Sequence, residues 1–345
     1  MSWVKKNLFG SWTSSLLTVL AAWALWQTLP PLFMWAIGRA VWFADDPAQC
    51  REAAGACWAF VTTKYRFMLF GLYPYDQQWR ALIVCALIVG LLGVSCDQRL
   101  WNRWLFWIWG ATFIVAGALM LGGWFGLSRV PTDQWGGLPL TLILAVVGIG
   151  GAFPLAIVLA LGRRSRLPVI RALSVTYIEL IRGVPLVSVL FMASVMFPLF
   201  LPESITIDKV LRAQVGFILF AAAYLAEAIR GGLQSVARGQ FEAADALGLS
   251  TAQKMRLIVL PQALRASIPP VVNQFIATFK DTSLVVIIGL YDLLTTTKTA
   301  LTDPPWRAFY IEGYIAAGLI YFCFCFFLSR TSQRLERQFN TGVRG

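Results

Sequence analysis

Solid apolar stretches recur along the whole chain, separated by short segments rich in Arg, Lys, Pro and Gly. Their length is close to the roughly 20 helical residues needed to cross the hydrocarbon of a bilayer. Eight candidate spans are legible, at 16–37, 81–96, 104–121, 138–161, 184–201, 215–229, 271–290 and 310–328. The runs are continuous rather than alternating, so they predict α-helices, because a closed barrel would carry a two-residue period. Pro30 and Pro31 interrupt the first run and are expected to break it or end it early.

Composition changes little in that picture and charge changes more. Of 345 residues, 58% are hydrophobic and 13% charged, as expected of an all-α, polytopic transmembrane bundle. With the N-terminus placed in the cytoplasm, the inner segments are 1–11, 97–103, 162–183, 230–270 and 329–345, and they hold 18 of the 29 basic residues. The positive-inside bias therefore places both termini in the cytoplasm. The net charge of +12 is read the same way, with Arg163, Arg164, Arg166, Arg330, Arg334 and Arg337 as topology determinants beside anionic headgroups. No nucleic-acid-binding fold accompanies the charge, so no nucleic-acid partner is expected. The long first apolar stretch lacks a small-residue cleavage site and is expected to be retained rather than removed as a signal peptide.

The chain carries no histidine, no C-x-x-C pair and no G-x-x-x-x-G-K-[ST] phosphate loop. Nothing catalytic, no metal site and no cofactor site is therefore expected. Cys85, Cys96, Cys323 and Cys325 lie in or beside apolar runs, where cysteine serves as a small core residue. Cys50 and Cys57 fall in an outside loop, where an oxidising compartment would permit a disulfide; their spacing leaves bonded and free states both open.

The segment Glu242–Pro261, EAADALGLSTAQKMRLIVLP, breaks the pattern, because it is charged and lies between two apolar runs. Phe241 to Leu247 favours helix, Gly248 suits the left-handed residue that ends one, and Ser250 with Gln253 forms a capping box for the next. The second helix is expected to run to about Leu260, with Pro261 marking its end or a kink. Such a hairpin would show Glu242, Asp245, Lys254 and Arg256 to water, with Ala243, Ala244, Leu247 and Leu249 as a small apolar face. On the cytoplasmic side it would be a rigid peg for a partner's groove.

Ionisable residues inside the spans are costly and commonly functional. Lys280 and Asp281 lie about ten residues into the seventh span, roughly 15 Å along its axis and near mid-membrane. Glu179, Arg182, Glu227 and Arg230 lie near the cytoplasmic ends of other spans, and Glu227 can pair with Arg230 at i,i+3. They stand either as a polar lining for a zwitterionic substrate or as a structural ion network that fixes helix packing.

The spacing E-A-A, three residues, Gly, nine residues, I-x-L-P resembles the cytoplasmic loop of importer permeases of the ATP-binding cassette (ABC) class. So do GGLPLTLILAVVGIGGAFPLAIVLALGRRS at 136–165, YIELIRGVPL at 177–186, AYLAEAIRGGLQSVARGQ at 223–240 and FKDTSLVVIIGL at 279–290. Residues 138–330 thus look like the type I (MetI-like) permease domain of bacterial importers for polar amino acids. The resemblance implies a five-helix core at 138–330, a three-helix N-terminal extension with a large outside loop over 1–135, and a cytoplasmic tail over 331–345. The extension resembles the M-type subunit of general L-amino acid transporters, or its counterpart for glutamate, glutamine, aspartate and asparagine. Further implied are a second permease subunit, a dimer of ATP-binding subunits that hydrolyses the ATP, and a periplasmic amino-acid-binding protein at the inner membrane. On matched positions, Glu242, Ala243, Ala244 and Gly248 would form the helix that seats on the ATPase, with Ile258, Leu260 and Pro261 shaping its return.

Two other classes compete. An ion-coupled secondary transporter would explain the buried charges but not the hairpin, and would normally carry an internal repeat that this chain lacks. A membrane scaffold subunit would explain the N-terminal spans but not the charges of the later ones.

Overall fold

The computed structural model describes residues 2–44, 46–124, 126–202 and 204–340. Of the expected cytoplasmic tail, 331–340 continues the last helix and 341–345 lies outside the described residues. Among the described residues the chain is almost entirely helical, and seven helices are long and apolar enough to cross a membrane. Two compact units are present, one formed by Met1–Tyr65 with Lys298–Ala316, the other by Arg66–Thr297 with Ala317–Gly345.

The first unit starts with α1 (Ser2–Leu8) and α2 (Trp12–Phe33). Helix α2 does not break at Pro30 and Pro31; it runs through them to Phe33, the Met34 N–H bonds back to the Pro30 and Pro31 carbonyls, and a π-turn over Met34–Gly38 follows. Helix α3 (Pro47–Glu52) carries Cys50, which forms a disulfide with Cys57 at a Cα separation of 5.4 Å. Helix α4 (Ala59–Phe70) begins just beyond it. The buried Glu312 carboxylate accepts the Cys57 backbone N–H at 2.9 Å, and Lys64 pairs with Asp303 at 2.6 Å.

The second unit holds α5 (Gln78–Ser95), α6 (Arg103–Leu121), α7 (Gly137–Arg163), α8 (Pro168–Gly183), α9 (Leu186–Phe191) and α10 (Lys209–Ser235). After it come α11 (Arg238–Ala246), α12 (Thr251–Lys254), α13 (Leu260–Ala266) and α14 (Ile268–Asp281). Helix α15 (Leu293–Ala300) and the long α16 (Tyr310–Asn340) each contribute residues to both units. The second unit does not stop at residue 135: Ala81, Val84, Cys85 and Ile88 of α5 join one buried cluster with Leu140, Leu142 and Leu144 of α7. Lipid gives helices no hydrophobic reason to associate, so close packing must do it. Accordingly α7 offers Ala152, Ala156 and Ala160, four residues apart and fully buried, to Ala221, Ala222 and Ala226 of α10.

The span expected at 184–201 is the clearest departure. It is a short helix, a π-turn and a 3₁₀ turn over Leu186–Phe200, bent 105° from α8. Pro185 lacks the N–H that would continue α8 and pushes Val184 into extended backbone at φ −109° and ψ 135°. The broken segment packs on a 3₁₀ stretch, Thr282–Ile288, that follows α14. At the opposite end from the charged hairpin, Gly137 sits at φ +66°, and a Cβ there would lie 2.1 Å from the Leu69 carbonyl oxygen, so only glycine lets α7 start. Asp292 is buried beside that start and fully satisfied, accepting from the Leu294 and Thr295 backbones, the Thr295 hydroxyl and the Tyr321 hydroxyl at 2.5–3.1 Å.

A candidate coupling hairpin and a charge cluster

The hairpin between the apolar spans forms as its local chemistry requires. Helix α11 ends at Leu247, whose N–H still reaches the Ala243 carbonyl at 3.1 Å, while the Gly248 N–H donates to Asp245 at 3.0 Å. Gly248 then turns the chain with φ +69°, and a Cβ built there would meet nothing within 4 Å. Glycine is required at this place for its backbone freedom alone. The capping box closes on both sides, with Ser250 N–H to Gln253 Oε1 at 2.9 Å and Gln253 N–H to Ser250 Oγ at 3.3 Å. Lys254 Nζ reaches Asp245 Oδ1 at 2.5 Å and locks the two helices together.

Burial sorts the expected apolar face into two. Ala244 is fully buried and Leu249 half-buried, whereas Ala243 and Leu247 point outward together with Glu242, and Leu247 is 75% exposed. The return segment also differs from expectation. Pro261 does not end the second helix, because a π-turn over Met255–Val259 opens the spiral ahead of it, and α13 continues to Ala266. Ile258 and Leu260 lie in and just after that turn.

Two contacts tie the hairpin to the spans, and a third closes it on itself. Gly232 of α10 meets α13 so closely that a Cβ there would lie 2.0 Å from Ser267 Oγ and 2.3 Å from the Ala263 carbonyl oxygen. Arg164, at the end of α7, donates to the Leu233 carbonyl at 2.9 Å and lies 5.6 Å over the Phe241 ring of α11. Gln262 donates to Gln240 at 3.0 Å across the hairpin.

Beside these contacts lies a charge cluster centred on Glu227, whose side chain is 15% exposed. Its carboxylate accepts from Arg163 of α7 at 2.9 Å and from Arg230 of α10 at 2.8 Å, and Arg182 of α8 stands 3.5 Å away. Arg163 reaches on to Glu179 of α8 at 2.8 Å. Five charges on three helices thus share one site, each carboxylate with a guanidinium partner, which offsets their desolvation.

These features stand in a chain that matches the family model described as "Binding-protein-dependent transport system inner membrane component" over residues 152–341, more than half its length. The chain belongs to this family. The permease is 51% identical to the inner membrane amino-acid ABC transporter permease protein YhdY of Escherichia coli (strain K12), over 99% of this chain and 94% of that protein. It is 37% identical to the glutamate/glutamine/aspartate/asparagine transport system permease protein BztC of Rhodobacter capsulatus, over 98% of this chain and 93% of that one. Among solved structures it resembles a crystal structure of an amino acid ABC transporter with histidines, with 30% identity and a TM-score of 0.52 over 58% of this chain and 90% of the other. The permease is therefore an ABC-importer subunit with a MetI-like fold, and the expected all-α bundle and family both hold.

The expected charged residues divide. Glu179, Arg182, Glu227 and Arg230 come together in the cluster, and Glu227 with Arg230 pairs at i,i+3 as the spacing predicted. Lys280 and Asp281 lie apart from it, at the far end of α14, where the α-helix tightens into the 3₁₀ stretch. Neither makes an ion pair within 4 Å among the described residues, and Lys280 is exposed. Arg163 and Arg164 are what sequence reasoning missed: read as topology determinants, they are the residues that join α7 to the cluster and to the hairpin. Their partners lie 16 to 77 positions away (Glu179 from Arg163, Phe241 from Arg164), so no local spacing announces them.

Proposed function

We infer that the permease carries L-amino acids across a bacterial inner membrane, driven by ATP hydrolysis in a separate subunit. The observation that carries this reading is the doubly capped hairpin at 238–260, rigid in itself and packed without play on α10 and α7. A peg that must pass on displacement has to be stiff and firmly mounted, and this one is both. Glu242, Ala243, Ala244 and Gly248 then seat on a dimer of ATP-binding subunits, with Ile258, Leu260 and Pro261 shaping the return. Motion of the peg reaches α10 through the Gly232 crossing and α7 through Arg164, rocking the 138–330 core against a second permease subunit in alternating access.

The path itself is placed along the broken segment Leu186–Phe200 and the exposed Lys280 beside Asp281. Discontinuous helices line substrate sites in transporters because their free backbone groups meet polar cargo. The Glu227 cluster is assigned to holding α7, α8 and α10 in register, since each of its two carboxylates is held by arginines from these helices. Amino acids as cargo are supported by the names of the relatives, and a periplasmic amino-acid-binding protein delivers them. Both termini lie in the cytoplasm, and residues 1–135 are an addition to the translocating core.

The test is reconstitution of the purified complex in proteoliposomes, with cysteines at Glu242 and Leu247. The expected result is crosslinking to a co-purified ATPase and ATP-dependent uptake of labelled amino acids. Labelling of these cysteines only from the periplasmic side, or purification without an ATPase, sinks the assignment.

A further inference from the structure

Within the second unit a cavity of about 580 Å³ opens between α5, α6, α7, α14 and α16, and nothing in the transport reading uses it. Its lining is aliphatic and aromatic apart from the Ser95 hydroxyl, with Phe106, Trp109 and Phe113 on one wall and Phe275, Phe279 and Phe324 on another. The volume falls in the range of small-molecule sites. The walls offer no partner to a polar solute, because Ser95 is already engaged: it accepts from Trp109 Nε1 at 3.0 Å and donates to the Leu91 carbonyl at 2.8 Å.

At its Ser95 end the slot is flanked by basic residues. Arg103 lies one turn before Phe106 on the same face of α6, and Arg330 one turn after Phe327 on the same face of α16. Both are exposed, and Arg99 stands in the turn between α5 and α6, with Asp97 the one acid of that 97–103 segment. Trp101 caps the rim by donating to the Ser95 carbonyl at 2.8 Å, and Thr331 ties α16 to α5 through Cys96 at 3.4 Å. An apolar slot with guanidinium groups and indoles at the headgroup level matches a molecule that is a hydrocarbon chain at one end and an anion at the other.

We propose that the cavity holds one acyl chain of an anionic phospholipid, whose phosphate meets Arg103 and Arg330. Such a lipid would fill the gap between α6 and the core helices as a fixed component, whatever substrate the permease carries.

Gly110 and Gly150 on opposite walls give the test, since a Cβ at either meets nothing within 4 Å and a larger side chain grows into the slot rather than into backbone. The complex is reconstituted with phosphatidylglycerol or phosphatidylcholine bearing a photoactivatable group in mid-chain, and labelled peptides are mapped. Labelling by phosphatidylglycerol is expected to concentrate on 106–113 and 324–328 and to fall at least fivefold in Gly110→Phe. Gly150→Leu serves as the second filling variant should the first not accumulate. Arg103→Gln with Arg330→Gln is expected to keep chain labelling while reducing the preference for phosphatidylglycerol to about one. Three results overturn the proposal: uniform labelling of all lipid-facing helices, no response to filling, or a Gly110→Cys variant that crosslinks to a neighbouring polypeptide instead.

Discussion

Gly248 isolates one physical term, because its backbone is at φ +69° and a Cβ added to it would project into open space. Any side chain placed there pays for conformation and for nothing else. The left-handed region costs an ordinary L-residue about 1–2 kcal/mol, is tolerated better by asparagine, and is worst for β-branched side chains. With tenfold in an equilibrium for each ~1.4 kcal/mol, Gly248→Ala should shift the balance between native and rearranged hairpin by roughly tenfold, Gly248→Asn by less and Gly248→Val by more. The buried core lies elsewhere, so accumulation in the membrane and detergent melting of all three should stay near wild type. The assay is uptake and ATPase activity of reconstituted complexes, in which transport should fall in the order Asn, Ala, Val while hydrolysis becomes uncoupled from it. Val transporting at the wild-type rate, or Asn failing as badly as Val, would refute the backbone argument.

Glu242→Lys reverses the charge on the outward face of α11 and should abolish uptake with the protein still in the membrane, as measured by uptake against western quantification. Gly232→Ala should prevent accumulation altogether, and Ser267→Ala should not rescue it, because the Ala263 carbonyl oxygen remains 2.3 Å from the new methyl group. Expression of the double variant checks this. Glu227→Gln leaves Arg182 and Arg230 with a neutral partner, while Arg163 keeps Glu179; since those arginine side chains are 24–35% exposed, the loss should be about 2 kcal/mol rather than the larger figure for a sealed site, read as a lower melting temperature in detergent. Cys50 and Cys57 should resist maleimide until reductant is added, and replacing both by serine should destabilise the first unit by about 2–3 kcal/mol in the chain-entropy account of so short a loop. Labelling without reductant would contradict the bond.

The hairpin was legible in the sequence because its signals are local. A capping box spans four residues and a left-handed glycine needs only its own φ, so Ser250, Gln253 and Gly248 could be placed without knowing what they pack against. The spans were legible for the same reason: hydropathy over about twenty residues reports the solvent and needs no partner. What the sequence by itself determined is therefore the membrane, the helices and the charged hairpin between them. Only the tertiary structure decided how Pro185 folds an apparent span back at 105°, how a π-turn carries the helix past Pro261, and which basic residues leave the headgroups to join Glu227. Arg163 and Arg166 are alike in the sequence, three positions apart; Arg163 faces two carboxylates because α7 crosses α8 and α10 there. Such outcomes depend on which helix faces meet, and small residues set that through close approach, a property of pairs of segments rather than of either one.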